Sequence, residues 1–172
     1  VDIFNKDKQQ FTNNAIKREI DDSNQAGVSD STISAYRKAI DIMGSKTDVD
    51  IQILATPGAR NPAVTDYAID AVESRFDALF IMDIQEKDQL RDFVTSSVQQ
   101  VHVDNTILEF NNRGLDTSFA AAYFPNVTIV DPTTNALVDA PPSVAVLGAI
   151  ANNDRVGHPW FAPAGFARGG LA

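Results

Sequence analysis

Cysteine is absent from this 172-residue sequence, which excludes disulfides and thiolate metal sites together. Histidine is scarce: His102 and His158 are the only two, and they stand in no HxH or HxxxH spacing. Because histidine ligates metals mainly in clusters, no metal site is expected. No run approaches the roughly 20 apolar residues that cross a bilayer. The opening VDIFNKDKQQ lacks the basic-then-apolar order of a signal peptide. It also lacks an initiator methionine, the mark of a processed chain or a piece of something longer. Basic residues are in deficit, 14 against 23 acidic, for a net charge of −9. That balance disfavours nonspecific attraction to nucleic acid or to an anionic membrane.

What is present describes a folded domain. Hydrophobic residues make up 44% and charged residues 22% of the chain, the composition of a globular protein long enough to bury one core. Residues 1–28 are polar and weakly patterned, and read as a leading arm ahead of an α/β domain over 29–172. Ser29, Asp30 and Ser31 can each accept first-turn amides, and Ile33, Tyr36, Ile40 and Met43 then share one helical face that Gly44 closes. VDIQILATPG, residues 49–58, alternates like a strand covered on one face. Pro62 suits a first helical turn, and Val64, Tyr67, Ala68, Ala71, Val72 and Phe76 form an apolar stripe. ALFIMDI, residues 78–84, is short and apolar enough to be a strand buried on both faces. This strand–helix–strand order predicts a βαβ unit with parallel strands. A further helix is predicted from Glu86 to Val101, a strand bent at Pro125 within 118–132, and a short apolar helix from Pro141–Pro142–Ser143 to near Asn152. The fold class expected is α/β, a parallel or mixed sheet with helices on both faces.

Ligands of such sheets sit at the carboxyl ends of the strands, where ATPGARNP lies. A phosphate loop would bring several glycines and a lysine to the anion; here Gly58 stands alone beside Pro57, so a tight turn is expected. Asp83, a carboxylate closing a buried strand, is the strongest candidate for a metal ligand or a nucleophile. No second carboxylate or lysine accompanies it at a recognisable spacing, and capping of the following helix is the simpler role. Ser118 and Ser143 lie outside any GxSxG elbow, and Asp104, Asp116 and Asp154 are scattered among expected loop residues, where short acidic side chains commonly make turns. The alternative to a structural protein is a small α/β enzyme acting on a phosphorylated ligand, with Asp83 as its metal or nucleophilic residue.

The second half carries a more specific pattern. LDTSFAAAYFPNVTIVDP, then APPSVAVLGAIANND, then GHPWFAPAG resembles the tail sheath proteins of contractile bacteriophage tails. The matching positions include Ser118, Tyr123–Phe124–Pro125, Asp131–Pro132, Pro141–Pro142–Ser143, Gly148, Ala151, Asp154, Gly157, Trp160 and Ala162–Gly165. In the first half, DVDIQILATPG and SRFDALFIMD agree with the family's strand, helix and Arg-x-Asp passage at Arg75, Asp77 and Asp83. Asn126 departs from a tryptophan common in the family, and family members continue past the Ala-Pro-Ala-Gly segment, so the resemblance implies a piece of a longer polypeptide. It further implies a non-enzymatic virion protein of the phage tail, assembled in the host cytoplasm. Such subunits polymerise with themselves around an inner tail tube, between baseplate and tail terminator proteins, and contract to drive the tube through the host envelope. No catalytic residue, cofactor, nucleic acid or membrane is implied. HPWFAPAGFARGG, residues 158–170, would lie against the domain or a neighbouring subunit through Trp160, Phe161 and Phe166.

Overall fold

The computed structural model describes residues 31–94, 100–131, 133–158 and 160–169; the predicted arm over 1–28 lies outside them. In chain order the elements are α1 (Ser31–Gly44), β1 (Ile53–Ala55), α2 (Pro62–Arg75), β2 (Leu79–Asp83), α3 (Val103–Asn111), β3 (Ala120–Tyr123), β4 (Val127–Val130), β5 (Leu137–Ala140), α4 (Pro142–Val156) and α5 (Gly165–Arg168). They form a single α/β domain, as the alternating pattern predicts. Strands β1, β2 and β3 make a parallel sheet in that spatial order, and β4 pairs antiparallel with β5 as a separate hairpin.

The βαβ unit forms for local reasons. Asn61 caps α2 by accepting the Ala63 amide at 2.8 Å, and Pro62 occupies the first turn, where its missing N–H costs nothing. Phe76 ends the helix in the left-handed region at φ 61, a conformation usually left to glycine. Helices α1 and α2 run parallel. Arg37 Nε donates to the Ala63 carbonyl at 3.0 Å, the Tyr67 hydroxyl donates to Asp41, and Arg75 Nη1 donates to the Met43 carbonyl at 2.6 Å. Contacts therefore advance along both helices together.

Strand β2 is the centre of the molecule. Its side chains alternate, so Phe80 and Met82, with Ile84 just beyond the strand, enter the cluster built with Ile33, Ile40, Val64, Ala68 and Val72. Asp83 points the other way, toward α4. Helices thus cover both faces of the central strand.

Two expectations are corrected. The described residues between Glu86 and Val101 contain no helix; α3 begins only at Val103. Leu90, Phe93 and Val94 fall at helical spacing, but local bonds win. The Asp88 carboxylate accepts the amides of Leu90 and Asp92 at 2.8 and 2.9 Å, Arg91 takes φ 64, and Lys87 bridges antiparallel to Phe93. The strand expected to bend at Pro125 is instead two strands in different sheets, β3 and β4.

Candidate functional site

The carboxyl end of the parallel sheet, where a ligand would be sought, is occupied by the protein's own polar groups. After β1, Thr56–Pro57–Gly58–Ala59 makes a turn in which the Ala59 amide donates to the Thr56 carbonyl at 3.0 Å. Gly58 has φ 79, which a turn with proline before it requires at that position. The turn aims the Gly58 amide at Asp83 Oδ2, 3.0 Å away.

Asp83 is 1% exposed. Its Oδ2 also accepts the Ser143 hydroxyl at 2.7 Å, and its Oδ1 accepts the Ser143 amide at 2.8 Å. Asp83 does cap a helix, but not the following one. Pro141 at the N-cap of α4 offers no side-chain acceptor, so the carboxylate at the end of β2 supplies one from 60 residues away. A negative group at a helix N-terminus is favoured by the free amides and by the helix dipole. Both oxygens are engaged by backbone and hydroxyl donors, so Asp83 ties the turn after β1 to the start of α4.

A second clasp stands beside it. Arg60 and Glu86 are buried, at 8% and 4% side-chain exposure, and pair at 3.5 Å. Glu86 Oε1 accepts the Asn126 amide at 2.9 Å, while Arg60 Nη2 donates to Asn126 Oδ1. The hairpin is therefore fastened at both ends, by Asn126 just before β4 and by Ser143 just after β5. Asn126 stands at the position where the resembling family often has tryptophan, and here its amide completes the buried ion pair. No periodic signal marks Arg60 or Glu86; a charged residue inside a turn otherwise made of small and cyclic residues is the available hint.

At the amino end of the sheet Arg75, 4% exposed, holds three segments. It donates to the carbonyls of Met43 and Val49 at 2.6 and 2.9 Å and to Asp77 Oδ1 at 2.9 Å. The hydrogen bond from Arg75 holds the Asp77 carboxyl below its ordinary value, and Lys46 adds to the effect. Of the Arg75, Asp77 and Asp83 set, the first two share this clasp and the third lies across the sheet.

The remaining candidates are not brought together. All four of Asp104, Asp116, Ser118 and Asp154 are exposed: Asp116 and Ser118 in the loop before β3, Asp104 and Asp154 not in loops as expected but on α3 and near the end of α4. His102 caps α3, while His158 stacks on Trp160 with ring centroids 4.8 Å apart. Among the described residues no group of three or more His, Asp or Glu is placed to hold a metal ion.

The surface is more distinctive than the crevice. Helix α4 carries VAVLGAIA over 144–151, yet its buried residues are Pro142, Ser143 and Asn153. A helix apolar on all sides is ordinarily enclosed; here Gly148 and Ala151 face outward, and a Cβ at Gly148 would meet nothing within 4 Å. The segment after α4 folds back on its end: Asn153 Nδ2 donates to the Phe161 carbonyl at 2.8 Å, and the Arg168 guanidinium lies over the Phe161 ring. Trp160 remains 76% exposed. His158, Trp160 and Phe161 thus pack largely on one another, and the Phe166 side chain lies outside the described residues.

No protein-family model, curated protein or solved structure matches the chain.

Proposed function

We propose that this chain is a structural subunit of a contractile phage tail sheath, docking with copies of itself around an inner tail tube and without catalytic activity. The observation that carries the reading is α4, apolar from Val144 to Ala151 and left half open on the isolated domain. Such a surface is what a subunit presents to a neighbour, and helical assemblies join unlike patches on successive copies. The motif resemblance supplies the particular assembly. Trp160 and the exposed face of α4 are the contact-forming elements in this reading, the polar clasps keep each subunit stiff, and contraction is a change between two packings of rigid bodies. Baseplate and terminator proteins close the two ends of the tube, and the assembled protein resides in the virion.

Negative-stain microscopy and sedimentation of the 172-residue chain test the proposal. Concentration-dependent growth into rings or tubes is expected, and Ala151→Glu should abolish it while leaving the monomer folded. The engagement of Asp83 disfavours the enzyme alternative, in which Asp83→Asn removes a turnover of a phosphorylated ligand. A monodisperse monomer at every concentration, together with such a turnover, overturns the assembly reading.

A further inference from the structure

Helix α2 ends on a residue that fits its place badly. Phe76 takes φ 61, a backbone strained for any residue with a Cβ, and it is 75% exposed. Its ring meets Phe119 edge-on, centroids 5.2 Å apart, a contact that steadies the ring without covering it. A glycine would stop the helix with no strain, so the side chain is not there for the helix stop. The approach to it is acidic. Asp70 and Glu73 share one face of α2, and neither enters an ion pair among the described residues; Asp77, just beyond the ring, is already paired with Arg75 and Lys46. Helix α4 offers the counterpart. Opposite its buried Pro142, Ser143 and Asn153, the helical period brings Val144, Gly148, Ala151 and Arg155 to one face, the last three of them exposed. Arg155 donates to the neutral Asn152 Oδ1 at 2.9 Å and enters no ion pair among the described residues.

We infer that Phe76 of one copy docks on the outward face of α4 in the next, its ring over Gly148 and Ala151 and its acidic approach against Arg155. The spacings agree. Asp70 stands six residues before Phe76 and Arg155 seven after Gly148, about 9 and 10 Å along their helices at 1.5 Å per residue. Ring and charges therefore engage together when α2 and α4 of neighbouring copies lie antiparallel. Asp154 is about 100° round α4 from Arg155, off this face. The ring supplies the buried apolar area, and the opposite charges set the register. Because the two patches are unlike, each copy carries both halves and the contact propagates instead of closing on itself. This pairing rests on the self-assembly proposed for the chain.

Sedimentation velocity on the full chain and its variants tests the docking. Phe76→Gly should weaken association about tenfold or more, as loss of a buried aromatic anchor does, while its thermal midpoint rises. Ala151→Glu blocks the other half of the contact. Each variant alone should stay monomeric where the parent assembles. An equimolar mixture of the two should form pairs, one copy of each, and stop there, because only one intact ring and one intact face remain to meet. Arg155→Glu should weaken assembly, and adding Asp70→Arg to the same chain should restore it. Phe76→Gly that assembles like the parent, or a mixture that stays monomeric, overturns the inference and leaves the assembly reading standing. A parent that is monomeric at every concentration overturns both.

Discussion

A buried charge is tolerated only when its partner is in place, and Arg60 with Glu86 shows how sharply that condition acts on single residues. Arg60→Met alone strands the Glu86 carboxylate away from water, and urea unfolding should show a loss of about 3–5 kcal/mol. Changing both, Arg60→Met with Glu86→Leu, removes the stranded charge, and stability should return to within about 1 kcal/mol of the parent. Acid acts on two further carboxyls. Asp131 is held below its ordinary value first by the Thr134 hydroxyl and then by the Thr133 amide, and Asp77 by Arg75. A depressed carboxyl contributes stability that is present above the unfolded-state value near pH 4 and lost as pH falls through the folded-state value. The urea midpoint should therefore fall below pH 4, and Asp131→Asn should flatten that fall.

Among the elements, α2 ends at a cost. Phe76 holds a left-handed backbone, unfavourable by about 1–2 kcal/mol for a residue with a Cβ, while the residue is 75% exposed. Its edge-on contact with Phe119, centroids 5.2 Å apart, returns less than the roughly 0.5–1.5 kcal/mol typical of such pairs, since most of the ring meets water. Phe76→Gly should raise stability by about 0.5 kcal/mol, read as an upward shift in thermal midpoint. The hairpin depends on its surroundings in the opposite sense. Two strands alone are marginal in water, and the clasps at Asn126 and Ser143 fix β4–β5 to the sheet.

For the molecule as a whole, the net charge of −9 repels copies from one another while α4 and Trp160 offer apolar contact. Self-association in sedimentation should strengthen between 20 and 500 mM salt, because screening shortens the reach of charge from about 20 Å to a few ångströms. Association that weakens with salt would point to ion pairs as the dominant contacts.

Local chemistry determined α1, α2 and β2 from the sequence alone. Caps, a first-turn proline, a closing glycine and an apolar period act within a few residues, and Ser31–Gly44 and Pro62–Arg75 lie where those signals put them. Helix α3 and strand β5 went unread because both are short and largely exposed. The tertiary structure alone decided what Asp83, Glu86, Arg60 and Arg75 do. Their partners stand 25 to 66 residues away for Asp83 and Arg60, and a polar group out of reach of water takes whichever donor or acceptor the fold brings to it. A carboxylate at the end of a buried strand reads the same in sequence whether it will meet a ligand or a helix; only the arrival of Ser143 and Gly58 made it an anchor.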